Sequence, residues 1–384
     1  MVFNGFIHYK NSKIPFVINK FQMDLFSDKS ALAEFMKEYS FQSQYILKGE
    51  RFINGTYSTE ILMLVDHSVG NQCFLSFYII ANTQEKLEYD TLNFQSTILD
   101  NVFQYKYKFI ELSKSGENLS SSQKEIYKIP FNLKNCQYDM SFKIGQKINL
   151  GLLEDFSRHG ELSIKTKEIS ISECAEIIIL TERFLKFLTR YSNITFEKIY
   201  LTRKGINVAN LYCPFIGKND YDFDIAYQNF NIAFYGTKLL NNLGLELTNN
   251  IENSIPLGHI GDYKSSFLPQ RFIQQIMSFE YIFEKINPKS NKCLQKKLEE
   301  SFYEFLYVIS INADKNNLKS LTTNMKKLRV DITHGYRYFY DFDFADKTKL
   351  YFSYLDYLIE CMSLKYLGFS KDEIEMFRNK SFFW

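Results

Sequence analysis

The sequence predicts an α+β protein: a β-rich N-terminal domain over residues 1–260, followed by an all-α helical bundle over residues 264–384. Three observations predict it. At 384 residues the chain exceeds one typical core and calls for two folding units, or one large unit with an appended module. Up to about Phe215 the apolar residues fall in short β-branched and aromatic runs separated by turn residues. After Tyr263 the period becomes helical and stays so, which puts the domain boundary near residues 255–266, around Pro256-Leu-Gly-His-Ile-Gly261.

In the first half, strands are expected at Phe6–Tyr9, Ile14–Ile18, Glu60–Val65, Phe74–Ala81, Glu125–Ile129 and Glu161–Lys165, with turns at Asn54-Gly55 and Gly70-Asn71. Short connections imply antiparallel pairing. One helix interrupts them. Ser170 and Glu173 form a capping box, and Ile177, Leu180, Phe184 and Leu188 recur at helical spacing behind it. Strands Phe196–Leu201 and Ile206–Cys213 follow, joined through Arg203-Lys204-Gly205; the segment 218–263, ambiguous in pattern, closes this domain. In the second half a helix is expected from Pro269 to Ile286, since proline suits a first turn and Pro288 blocks further extension. The next starts at Ser290 and carries Leu294, Leu298, Phe302, Phe305 and Ile309 as one stripe. A third carries Leu318, Leu321, Met325, Leu328 and Ile332 and stops at Gly335. A fourth runs from about Asp346 to Leu367, and a short fifth opens with the capping box Ser370-x-x-Glu373.

Composition excludes several classes of protein. Hydrophobic residues at 45% and charged residues at 23% match a packed globular chain and not a disordered one. The net charge of +2 rules out a molecule that coats polyanions with its whole surface, so any nucleic-acid contact has to be local. Six cysteines stand singly, without the spacing of a zinc site or disulfide framework. No metal or cofactor is expected. The N-terminal residues lack the pattern of a secretory leader, and no apolar run approaches a membrane span, so the expected compartment is the cytoplasm.

One local constellation carries chemistry: Arg329-Val-Asp331-Ile-Thr-His334, at the C-terminal end of the third bundle helix. An imidazole titrates near neutrality and can take or deliver a proton. A guanidinium stays charged and its forked donors fit a phosphate. Alone, an arginine and a histidine five apart also describe two cations at a helix C-terminus, where the macrodipole favours them. Lys326, Lys327 and Arg337 flank the motif, as phosphate contacts or as a solvated face. Residues five apart on a helix point about 140° from one another. Either the last turn before Gly335 unwinds, or the working site is shared between two copies. The alternating carboxylates Asp341, Asp343 and Asp346 are expected to form a loop and helix cap and not a cation site.

The motif, together with Arg271-Phe272 and Ser278-Phe279-Glu280 on the first bundle helix, resembles the HEPN superfamily; in domain order the chain is similar to ApeA-like anti-phage proteins. The resemblance is most specific over residues 269–340. It implies metal-independent endoribonuclease activity, with Arg329 and His334 as the catalytic pair and a 2′,3′-cyclic phosphate and a 5′-hydroxyl as products. It also implies an RNA substrate, tRNA among the candidates, a homodimer through the bundle, and an N-terminal domain that senses an infection-derived trigger. Glu280 and Asp331 are supporting residues; the family's polar position after the arginine is displaced here to Asp331, which is assigned to orient Arg329. Two rival classes stand beside this one: a non-catalytic dimerisation or RNA-binding module, and a carbohydrate or lipid binder built on the β-rich half.

Overall fold

The computed structural model describes residues 2–10, 12–26, 29–39, 44–53, 57–84, 87–99, 124–148, 156–165, 167, 169–189, 193–217, 232–249, 269–309, 315–335 and 342–379. The fold is α+β, with twelve strands and nine helices among those residues. The chain divides into two compact units, Met1–Ile179 with Thr195–Phe223, and Leu180–Ile194 with Asp224–Trp384. The cut at 223/224 differs from the expected boundary near 260, because the segment that is ambiguous in pattern contains a helix that packs with the bundle.

The first unit is built on one antiparallel sheet in the order β3-β2-β1-β4-β5-β6-β12-β11-β7-β10-β9-β8. Its strands are β1 Val2–Tyr9, β2 Ser12–Asn19, β3 Gln22–Leu25, β4 Tyr45–Ile53, β5 Tyr57–Val69, β6 Gln72–Ala81, β7 Thr91–Gln95, β8 Lys124–Leu133, β9 Cys136–Ile148, β10 Phe156–Lys165, β11 Lys198–Arg203 and β12 Ile206–Tyr212. The second edge of β6 serves two partners: residues 72–74 pair with β3 and close a six-stranded barrel, while residues 78–81 pair with β12 and lead into the remaining strands. Inward residues alternate along each strand, so Ile7, Ile14, Phe16, Met23, Ile61, Met63, Val65 and Cys73 make one buried core.

A second helix, absent from the expectation, joins this core. α1, Lys29–Tyr39, contributes the fully buried Phe35 and packs Leu32, Met36 and Tyr39 against the barrel. Gly5 and Gly49 let β1 and β4 approach closely: a Cβ on Gly5 would stand 1.9 Å from the Glu50 carbonyl oxygen, and one on Gly49 2.5 Å from that of Phe6. Four two-residue hairpin turns begin with lysines at positive φ, Lys10, Lys20, Lys134 and Lys204. Gly70-Asn71 turns between β5 and β6 as expected; Asn54-Gly55 lies outside the described residues. α2, Ile171–Thr189, starts on the expected capping box: the Ser170 N–H donates to Glu173 at 2.7 Å and the Glu173 N–H to Ser170 Oγ at 3.3 Å.

The second unit holds α3 Ile232–Asn249, α4 Pro269–Ile286, α5 Leu294–Glu304, α6 Leu306–Ile309, α7 Lys315–Thr333, α8 Phe342–Tyr366 and α9 Lys371–Asn379. No helix among the described residues is long and apolar enough to cross a membrane. Phe272, Ile276, Phe279, Leu298, Phe302, Met325, Leu355 and Ile359 form the buried stripes. Three expectations need correction. The second bundle helix starts after Cys293 and not at Ser290, and it breaks at Phe305, whose N–H is shared between the Ser301 and Phe302 carbonyls, so its apolar stripe spans two helices. The fourth begins at Phe342, which puts Asp343 and Asp346 inside α8 instead of a loop; Asp341 lies outside the described residues. α3 belongs to this unit through the Lys238–Glu373 ion pair at 2.6 Å, an Asn242 bond to the Leu367 carbonyl, and Tyr366 donating to Glu246.

The expected capping box of α9 is present, with Ser370 N–H donating to Glu373 at 2.7 Å. The Lys238 ammonium, then the Ser370 backbone N–H, hold the Glu373 carboxyl below its ordinary value. A carboxyl lowered on folding stabilises above its unfolded value, and the contribution is lost as pH falls through the folded one. Glu373→Gln is therefore expected to lower the urea midpoint at neutral pH, with the gap to wild type narrowing as the pH falls below the ordinary carboxylate range. A gap unchanged over that range would sink the assignment.

Candidate functional site

The site residues lie on α7 and on the helices beside it. The apolar seam of α7 buries Leu318, Met325 and Leu328 and half-buries Leu321 and Ile332. Arg329 flanks this seam, where its guanidinium lies 3.7 Å from Glu280 of α4, with 43% of its side chain exposed. Glu280 in turn lies 3.8 Å from Lys297 of α5, a buried cation whose closer partner is Glu284 at 2.8 Å. The carboxylate of Glu280 thus sits between two cations from two helices. Arg329 lies beside one carboxylate and keeps 43% of its side chain exposed.

His334 is exposed and follows the last helical residue. The helix does not unwind to reach it: the His334 N–H still donates to the Val330 carbonyl at 3.0 Å, and Thr333 Oγ bonds the Arg329 carbonyl at 2.7 Å. Only Gly335 departs, with φ +70° and its N–H on the Ile332 carbonyl. Regular geometry therefore persists through the motif, and Arg329 and His334 point about 140° apart.

The same geometry sorts the other expected residues. Asp331 stands about 160° around the helix from Arg329, so the partner that orients the guanidinium is Glu280. Lys326 lies about 60° from Arg329, and Lys327 about 20° from His334; both are exposed. Arg337 lies outside the described residues. Arg271, also on α4, packs its guanidinium 4.5 Å over the Phe352 ring and 3.8 Å from Asp356, to which Gln275 donates. It supports the α4–α8 packing. No protein-family model, curated protein or solved structure matches this chain. The chemistry of the site then rests on its own geometry.

Pattern reading missed one polar cluster, on the sheet. Glu161, 3% exposed, accepts from Gln95 at 3.3 Å, Ser163 at 3.3 Å and Tyr200; Ser163 also bonds Asn93, which reaches Thr202. Burial, then the bond to Glu161, pushes the Tyr200 hydroxyl well above its usual range. The strand alternation of Glu161 and Ser163 was the available signal, but cross-strand register alone brings Gln95, Asn93, Tyr200 and Thr202 beside them. The network satisfies its own donors and acceptors and serves the sheet. Among the described residues no three His, Cys, Asp or Glu side chains are grouped as a cation would need.

Proposed function

We propose that this chain is a cytoplasmic endoribonuclease of the HEPN type, organised as in ApeA-like anti-phage proteins, with the β-rich half sensing an infection-derived trigger and the bundle cleaving RNA. The observation that carries the reading is the arginine–histidine pair on one regular helix end, with Arg329 held by Glu280 and still open, and His334 exposed about 140° away. Two side chains so arranged serve one phosphate when a second copy faces the first across its symmetry axis. Arg329 of one copy then meets His334 of the other, and a homodimer holds two equivalent sites.

In each site His334 takes the proton of a ribose 2′-OH. The freed oxygen attacks the adjacent phosphorus, the bond from phosphorus to the 5′-oxygen breaks, and the departing oxygen takes a proton from water. Arg329 holds the phosphate and offsets the charge that builds on its oxygens. The products are a 2′,3′-cyclic phosphate and a 5′-hydroxyl, and no metal is needed. Structured RNA such as tRNA is the substrate class.

The experiment is incubation of total cellular RNA with wild-type and His334→Ala protein in EDTA, with mapping of the fragment ends. Wild type is expected to leave cyclic-phosphate ends, and His334→Ala to cleave roughly 10²–10⁴-fold more slowly, the usual size of a general acid–base contribution. Equal cleavage by a folded His334→Ala protein would refute the enzyme reading and leave a binding module.

A further inference from the structure

A second feature of the bundle lies on the same side of α7 as Arg329. α5 and α7 run side by side, joined by Gln295 donating to Thr323 at 3.0 Å and Thr322 donating to Glu299 at 3.3 Å. Toward the start of α7 they part into a groove of about 300 Å³, lined by Glu299, Glu300, Tyr303, Leu318 and Lys319. Leu318 is buried, whereas Tyr303 is 61% exposed and leaves its ring open to a guest.

The charges in the groove are not equivalent. Glu300 is neutralised by Lys292 at 2.7 Å. Glu299 accepts from Gln295 on Oε1 at 2.9 Å, with the Thr322 hydroxyl, shared with the Leu318 and Lys319 carbonyls, 3.3 Å from the same oxygen, and carries no ion pair among the described residues. An aromatic face, a positioned carboxylate and a lysine at the rim suit one kind of guest: a planar base with adjacent N–H donors, attached to a phosphate. Guanine presents such donors on its Watson–Crick edge. Lys319 and Lys326, exposed and two turns apart, stand about 80° and 60° around α7 from Arg329 and span roughly 15 Å of helix up to it, the reach of a short run of nucleotides.

We propose that the α5–α7 groove is a base subsite for single-stranded RNA, in which Tyr303 stacks a guanine, Glu299 accepts from its Watson–Crick edge, and Lys319 and Lys326 carry the intervening phosphates toward Arg329. This rests on the reading of Arg329 as a phosphate-binding residue of a ribonuclease and adds to it a preference for sequence near the cut. A peptide guest would need neither the lysine row nor a lone carboxylate.

The test is fluorescence anisotropy with the full chain carrying His334→Ala, in EDTA, using a labelled oligouridine and the same oligomer with one guanine. The guanine-containing strand is expected to bind about tenfold tighter, with Tyr303→Ala losing that factor and Tyr303→Phe keeping it, in the range for removal of one stacking contact. Glu299→Gln is expected to erase the preference for guanine while leaving oligouridine binding unchanged. If the parent binds RNA and Tyr303→Ala binds both strands as tightly as the parent does, the subsite is refuted and the ribonuclease reading stands. If the parent binds neither strand, the subsite is refuted, and the reading of Arg329 then stands or falls on the cleavage of total cellular RNA by the wild type.

Discussion

An equimolar mixture of Arg329→Ala and His334→Ala proteins, each inactive alone, is expected to recover about a quarter of wild-type RNA cleavage after dissociation and reassociation. Half of the dimers in such a mixture are mixed, and each mixed dimer keeps one site in which an intact Arg329 faces an intact His334. The prediction follows from the regular hydrogen bond between the His334 N–H and the Val330 carbonyl, which leaves the two side chains on different faces of α7. A site complete within one copy gives no recovery, because every copy then carries one broken residue. Sedimentation of the same mixture shows whether dimers have formed, so absent activity in a dimeric sample counts against the shared site.

Gly5→Ala is expected to destabilise the strand-rich unit by about 3 kcal/mol or more, as overpacking does where the neighbour is backbone and cannot turn aside. The added Cβ would meet the Glu50 carbonyl at 1.9 Å and the tip of the Phe16 ring at 2.8 Å, in a strand pair held by only three residue pairs. The control is Gly205→Ala. A Cβ there meets nothing within 4 Å, and only the left-handed backbone at φ +83° is penalised, at roughly 1 kcal/mol. Urea unfolding followed by circular dichroism compares the two; equal shifts would mean that β1 and β4 can separate at little cost.

The bundle was more legible than the sheet, for a physical reason. A helix satisfies its own backbone, so the spacing of Leu318, Met325 and Leu328 and the boxes at Ser170 and Ser370 carry most of the information needed to place it. Strands are completed by partners far away in sequence. β3, β4, β7 and β9 fall outside the expected strands, and the hairpin turns opened by Lys10, Lys20 and Lys134 lack the Asn-Gly or Asp-Gly signal that marks a hairpin. α1 was legible and was missed: Leu32, Phe35, Met36 and Tyr39 recur at three- and four-residue spacing, but over only eleven residues and among segments that read as strands.

For the candidate site the division is similar. The sequence by itself determined that Arg329 and His334 lie five apart at the end of one helix, that Gly335 ends it, and that the chain combines strands and helices, since all of these depend on neighbours along the chain. Only the tertiary structure decided that Glu280 and not Asp331 holds Arg329, that Lys326 and Lys327 serve different sides of α7, and that Tyr303 and Lys319 share a groove. Each of those depends on which helices lie side by side, and the packing of α4 and α5 on α7 is settled by buried surface contributed from every part of the unit.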